Sequence, residues 1–600
     1  MVTPDMSIPA PASKVDFLVV GGGPVGLLAA NLIVQAGLTA RIVDIEYEPN
    51  HWGRGDWIHG RTLELLERAG LATELLKTGV KVDKMSSYMN GKLQKEIPFV
   101  PEETESKHEY LLCVGQHITE SSLQSQLSQF DVQVERPSTV VSMDRDENKD
   151  GEYPITATVM HLQEGRGTED VQCKYVLGCD GAHSDIRQQL GITNEGETSE
   201  THAGVLDALI RTNFASRKEV CIVQSDHAKT ISMFPRENGL TRLFVHFNEN
   251  EHEQRKEQHN RNKIMLEDIQ REAKRALLPH RIEFLGILYW SVYVVGQRYA
   301  SRLDSKDQRV FLCGDAAHSQ SPTLGQGLNT GFGDIFNLIW KIVMVERGQL
   351  DRKYLATYHS ERWPVAQTVL DIDRIAAKAA AGHQAADYCD VVEKHRLFTA
   401  GYGISYEKNT KDDVSLMWAP GGGNEDEAIE LQSEYHMKPG MRAPNFKVFG
   451  FTSGKKTRLF DAIPKNDTVP QWLSYTLFVL AHDLRSTHDI VATFLQETSK
   501  AATLLPPTNV VVITTSTADQ VAAYKSMLDS DRVVIDKLNQ AQCHRAFHRR
   551  AIANGNHHSP DDEKVQVVLV RPDGYIGTII RSDDATVLSK RVCQYFSNIV

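Results

Sequence analysis

Val15-Asp16-Phe17-Leu18-Val19-Val20-Gly21-Gly22-Gly23-Pro24-Val25-Gly26 is the stretch that decides the fold. Its first half has no polar side chain after Asp16 and reads as a buried strand. A glycine-rich turn follows. A helical pattern then runs through Leu27, Ala30 and Ile33, Gly37 ends that helix, and Ala40 to Val43 reads as a second strand. This is a βαβ unit. Gly21, Gly23, Pro24, Val25 and Gly26 fit GxGxxG at the strand-to-helix turn. Glycines there let the backbone approach a pyrophosphate, and the helix N-terminus offers N–H donors and positive potential. Asp44 closes the second strand. A carboxylate ~20 residues past the glycines is placed to hold ribose hydroxyls.

FAD and NAD share this fingerprint, and two later segments separate them. One is Cys179-Asp180-Gly181-Ala182-His183-Ser184 with Arg187. The other is Arg309-Val310-Phe311-Leu312-Cys313-Gly314-Asp315-Ala316-Ala317-His318, continuing through Pro322 to Gly325-Gln326-Gly327-Leu328-Asn329. The second is a buried strand ending in a carboxylate-bearing turn, with another glycine-rich helix start behind it. Asp315 can accept hydrogen bonds from a polyol such as a ribityl chain. Backbone N–H groups near Gly327 to Asn329 can face a ring that becomes anionic on reduction. A plain NAD dehydrogenase has no use for this second site.

Outward from these segments, 600 residues are too many for one core and predict two to four domains. Hydrophobic content of 41% and charged content of 24% are ordinary for a globular protein. A formal net charge of -12 argues against a nucleic-acid partner. No apolar run is long enough to span a bilayer. The longest, Trp472 to Ala481, reads as a buried strand. Residues 1–14 form a loose tail without a secretory layout, which points to the cytoplasm. The eight cysteines are scattered, with no CxxC pair, as expected of a reducing compartment. Thr62 to Leu76 reads as one helix. The texture turns to α+β over residues 203–299, with a charged helix around Asn248 to Leu278. The α/β frame, begun at 15–202, resumes over 300–418. A glycine-rich linker spans 419–436, and a separate unit of alternating strands and helices fills 437–600.

The three motif segments together resemble the class A flavoprotein monooxygenases of the p-hydroxybenzoate hydroxylase fold, in their phenol 2-monooxygenase branch. Gly53 to Glu64, Gln116 to Glu120, Tyr293 to Arg298, Pro439 to Pro444 and Arg571 to Gly574 are similar to segments of that branch. The resemblance implies an α/β fold: a Rossmann-like FAD-binding domain, an inserted α+β substrate domain and a C-terminal thioredoxin-like α/β domain. Without CxxC that last domain cannot do dithiol chemistry, and it serves packing or dimerisation. It further implies that Arg54, Gln116, Asp315 and Gly325 to Asn329 contact bound FAD. The resemblance also implies that Asp180 supports FAD and passing NADPH, directly or indirectly, and a homodimer is expected. In this family, reduced flavin and O2 form a C4a-hydroperoxide that an electron-rich ring attacks, and the protein orients the ring, helps remove the phenolic proton and excludes water.

By the same resemblance Asp56 is the base or proton relay, Arg236 stabilises negative charge and Tyr293 contacts substrate. The residues themselves allow plainer readings: a capping carboxylate, a surface salt bridge and a core tyrosine. The branch carries a Tyr eight positions after the arginine, where this chain has Phe244. His246, two residues on, shares a strand face with Phe244, as does many a merely structural histidine. With Pro322, these two complete the expected substrate wall. The expected activity is NADPH- and O2-dependent hydroxylation of a substituted phenol. Baeyer–Villiger oxidation, epoxidation or decarboxylative hydroxylation of a secondary metabolite, and a flavoprotein scaffold without oxygenase activity, stay open. No metal site is expected: Cys543, His544 and His548 lack an HExxH pattern and read as a basic helix face.

Overall fold

The computed structural model describes residues 13–101, 104–145, 151–214, 218–226, 228–247, 264–381, 385–407, 414–417, 437–464, 468–503, 505–524, 528, 532–536, 541–547 and 564–600. The apolar strand that opens the chain runs Lys14–Val20 and is central to the first sheet. It pairs in parallel with Ala40–Val43 on one side and Thr168–Gly178 on the other. Val310–Leu312 adds in parallel to Thr168–Gly178, and Ile155–His161 and Ser138–Arg145 complete an antiparallel edge. Strands covered on both faces carry continuous apolar runs, and Phe17 to Val19 and Val310 to Leu312 are fully buried. Three parallel strands therefore end side by side, at Val20, Gly178 and Leu312. Their carboxyl ends open one crevice, the usual ligand position in such sheets.

The helix Pro24–Gln35 starts at that crevice with Pro at its first position, where the missing N–H costs nothing. The second helix there, Gln326–Glu346, buries most of its length. Thr62 to Leu76 is two helices, Gly60–Arg68 and Thr73–Thr78. Gly70, at φ +73, turns the chain out of the first one, as a glycine just past a C-cap commonly does.

The second sheet has eight strands and extends beyond residues 203–299. Asn194–Thr212 lies inside it, between Ile282–Ala300 and Thr241–Phe247, and the hairpin Lys84–Met89 and Lys92–Pro98 forms its far edge, joined in parallel to Val220–Ser225. Hydrophobic patterning could not place that hairpin, because its second strand faces solvent along most of its length. The charged helix is Leu266–Ala276; residues 248–263 of the expected helix lie outside the described residues. So does the expected linker, 419–436, together with residues 1–12 of the expected tail, while Lys14 already belongs to the first strand.

A third sheet, of seven strands, organises residues 437–600. Tyr475–His482, buried throughout, lies parallel to Thr508–Thr514, which lies parallel to Val533–Ile535. Val565–Val570 and Ile576–Ser582 follow antiparallel on the other side. Buried charges lock this unit to the rest. Arg442 pairs with Glu64 at 2.6 Å. Arg571 donates to both oxygens of Glu361, at 2.6 and 2.8 Å, and to Asp573. Lys341 also donates to Glu361, at 2.8 Å, and burial pushes its pKa down to about 8.

His544 is not on an exposed basic face. It is buried, its Nδ1 lies 2.7 Å from Asp536 and its Nε2 accepts from the His482 N–H. His548 lies outside the described residues. Among the described residues no helix is long and apolar enough to cross a membrane. The single group there with ligand-like spacing, Glu135, His161 and Glu169, is already occupied by Arg41, which donates to both glutamates.

Candidate active site

A cavity of about 670 Å³ opens at the shared carboxyl ends of the parallel strands and runs to the second sheet. Its near end is backbone. Gly21 sits at φ +110, and a Cβ there would lie 2.2 Å from the Cys179 carbonyl oxygen. A Cβ at Gly26 would lie 2.0 Å from the Gly21 carbonyl oxygen. The first helix thus reaches the strand turn only because both positions lack a side chain. Asp44 stands beside this turn, held by Arg136 at 2.9 Å, and Arg136 also donates to the Gly22 carbonyl.

The middle of the cavity is lined by Gly181 to His183, Asp315, Gly325, Gly327 and Leu328. Burial pushes the Asp315 carboxyl above its ordinary range. The segment 325–329 divides by helix face. Gly327 and Leu328 line the cavity. The side chains of Gln326 and Asn329 instead hold the neighbouring segment: Asn329 donates to the Trp57 carbonyl and accepts from the His59 N–H, and Gln326 donates to the His59 ring. Asp180 does not line the cavity; its carboxylate accepts from the Ile186 N–H.

The far end is built by residues 53–57 and the second sheet. Arg54 is exposed and held at φ +58. Its carbonyl accepts from Arg242 and its N–H donates to the Tyr293 hydroxyl, 3.4 Å away. Gln116 accepts from the Gly55 N–H at 3.0 Å and donates to Glu120. Trp57, Phe234 and Phe244 make an aromatic wall: Trp57 meets Phe234 edge-on at 5.2 Å, and Phe234 stacks on Phe244 at 5.7 Å. Pro322 and Tyr293 also line the cavity. His246 lies on the strand Thr241–Phe247, paired with Ala203.

Asp56 faces this end and is 7% exposed. Burial, partly offset by Arg242 and Arg236, pushes its pKa up to about 6. Its Oδ2 lies 3.3 Å from Arg242 and 3.5 Å from Arg236 and has no hydrogen-bond donor. Arg236 stands behind Asp56 rather than on the cavity wall, chelated by Glu237 at 2.7 and 3.0 Å.

Sequence reading missed Arg242, Asp207, Glu237 and Arg136. The available signal was Asp207 and Arg242 inside otherwise apolar strand runs, since a charge buried in a strand needs a partner. Asp207 chelates Arg242 at 2.6 and 2.7 Å.

The family model described as "FAD binding domain" matches residues 14–373. The chain belongs to this family of FAD-binding proteins. It is 28% identical over 608 residues to an FAD-dependent monooxygenase of Aspergillus terreus, covering 95% of this chain and 94% of that one. It is equally 28% identical to the 3-hydroxybenzoate 4-monooxygenase of Comamonas testosteroni, over 96% and 94% of the two chains. Among solved structures, aklavinone-11 hydroxylase with FAD and aklavinone superposes at a TM-score of 0.69 and 20% identity, over 98% and 100% of the chains, which speaks to the fold.

The protein is an FAD-dependent monooxygenase of the aromatic hydroxylase type. Its residues fit the cofactor on their own evidence. The turn has no room for a side chain at Gly21 or Gly26, and Asp315 and the helix start at Gly327 line the cavity beside each other. We expect Gly26→Val to abolish flavin uptake, because the new side chain must push the helix off the strand turn. The flavin-to-protein absorbance ratio of the purified variant is the check, and normal flavin content would remove this turn from the cofactor site.

Proposed function

We propose that this monooxygenase hydroxylates a substituted phenol, using NADPH as reductant and O2 as oxygen source. Asp56 carries the reading: a buried, hydrogen-bond-poor carboxylate with a pKa of about 6 at the end of an aromatic-walled cavity. Bound FAD supplies electron transfer and oxygen activation. The protein's part is to position the ring and take its proton. Asp56 Oδ2 accepts the phenolic proton, and the ring oxygen keeps the electron pair, which enriches the ring for attack on an electrophile. Trp57, Phe234 and Phe244 hold the ring and keep water away. Arg54, at the cavity mouth, offers a cation to the cofactor.

The name of the Comamonas relative supports a phenolic substrate class. Phe244 brings no hydroxyl to the wall, and this favours, as the second reading, Baeyer–Villiger oxidation, epoxidation or decarboxylative hydroxylation of a larger secondary metabolite. We also take the enzyme to act as a cytoplasmic homodimer. We take its C-terminal unit to be a thioredoxin-like domain that serves packing or dimerisation; the eight cysteines are all free thiols.

An NADPH-consumption screen across phenols, resorcinols, salicylates and cyclic ketones, with products weighed by mass spectrometry, is the test. We expect consumption coupled to one-oxygen products from phenols. Products from cyclic ketones alone would favour the second reading, and no oxygenated product from any class would overturn the hydroxylase reading.

A further inference from the structure

Five buried ionic side chains meet behind the aromatic wall. Asp56 comes from the loop after the second strand, Asp207 from Asn194–Thr212, Arg242 from Thr241–Phe247, and Arg236 and Glu237 from the turn between two strands. Each side chain is 8% exposed or less. Arg242 is chelated by Asp207 and Arg236 by Glu237. Both arginines reach Asp56 with their remaining nitrogen, and Arg236 also approaches Asp207 at 3.5 Å. Three carboxylates face two guanidiniums, so with every acid ionised the group carries one net negative charge. Of the five, only Asp56 lines the cavity. The other charged or titratable groups facing it are His117, Arg54, Tyr293 and the Cys113 thiol.

We propose that Asp207 and Glu237 are positioning residues that set the proton affinity of Asp56, so that the group reaches charge neutrality by taking one proton from the substrate through Asp56. The balance is simple: the substrate O–H bond breaks, the Asp56 O–H bond forms, and the electron pair stays on the ring oxygen. Each distal carboxylate consumes most of one arginine, so neither arginine is left to hold Asp56 fully ionised. A buried carboxylate facing two free arginines would be a poor base; one whose arginines are already engaged is a good one. This rests on the reading of Asp56 as the base.

The test is pH-difference infrared spectroscopy of the FAD-loaded enzyme, following the carbonyl band of a protonated aspartic acid. The band assigned to Asp56 is the one lost in Asp56→Asn. We expect its midpoint to fall by about one to two pH units in Asp207→Asn, and likewise in Glu237→Gln, because each removes one negative charge from a poorly solvated group. Asp207→Glu restores the charge and the wild-type midpoint. Flavin content reports folding in each variant, and Glu237→Gln carries the test if Asp207→Asn does not fold. Unchanged midpoints in the folded variants would overturn this inference alone. Full hydroxylation by Asp56→Asn would instead overturn the underlying assignment of the base.

Discussion

Asp56→Asn retains bound FAD and loses hydroxylation by about 10²- to 10⁴-fold, the usual contribution of a positioned general base. The amide keeps the shape of the carboxylate but cannot take the phenolic proton. FAD binding survives because the substitution leaves the glycine turn, Asp44 and Asp315 untouched. The same variant carries a stability signature of opposite sign. Asp56 has a folded-state pKa of about 6, above its ordinary value of 3.8. A carboxyl shifted upward contributes stability that is complete below the ordinary value and lost as pH rises through the folded one. At pH 8 the wild type therefore bears the cost of an ionised, buried carboxylate, of the order of 3 kcal/mol from the shift. Asn carries no such cost. Relative to wild type, the melting temperature of Asp56→Asn rises between pH 4 and pH 8. Flavin content, turnover and melting curves across that range settle the matter. Full turnover, or a variant that destabilises progressively with pH, contradicts the assignment.

Arg571→Met gives the largest expected loss of stability. Arg571 is completely buried and engages Glu361 and Asp573 together. Removing it leaves Glu361 with Lys341 as its cationic hydrogen-bond partner and Asp573 with only the longer-range charges of Arg61 and Arg68. Breaking a buried ion pair from one side costs about 3–5 kcal/mol, because the remaining charge is stranded. The cost falls on the seam between the C-terminal unit and the helices Gln326–Glu346 and Thr357–Ala381 that carry Lys341 and Glu361. A lower denaturation midpoint with separate transitions for the two parts is the expected melting or denaturant profile. A midpoint within experimental error of wild type would mean that the seam does not depend on this guanidinium. Met preserves the volume and the apolar contact with the Trp340 ring, 5.5 Å from the guanidinium carbon, so lost packing cannot account for a large effect.

Much of the cofactor end was legible in the sequence because its requirements are local. A strand, a turn without side chains and a helix start occupy consecutive residues, so Gly21 to Gly26 and Gly314 to Gly327 announce themselves. The substrate end assembles from several separate segments, and its logic is pairing across the sheet. Asp56 and Arg236 could be named by resemblance, yet nothing along the chain said that Arg236 is consumed by its own neighbour Glu237 while Arg242 reaches the Arg54 carbonyl. Gln326 and Asn329 show the same limit from the other direction. Their position within a glycine-rich segment suggested cofactor contact, but helix geometry turns both side chains toward residues 57–59, and only the face bearing Gly327 and Leu328 meets the cavity. The hairpin Lys84–Pro98 was hidden for another reason: at a sheet edge there is little apolar periodicity to read.

Trp57 joins the substrate end of the cavity to its cofactor end. Its ring belongs to the aromatic wall, and its carbonyl is held by Asn329. A Cβ at Gly325, the left-handed residue that starts the helix at Gln326, would lie 2.7 Å from the same ring. The residue that shapes the substrate space is thus also the doorstop against which the cofactor-side helix is seated. Reshaping the pocket at Trp57 to admit a bulkier ring would move the seat of that helix as well, so substrate range and cofactor geometry cannot drift independently in this enzyme. Changes at Phe244, which has no such second attachment, are the cheaper route by which natural variation or a protein engineer would alter what it accepts.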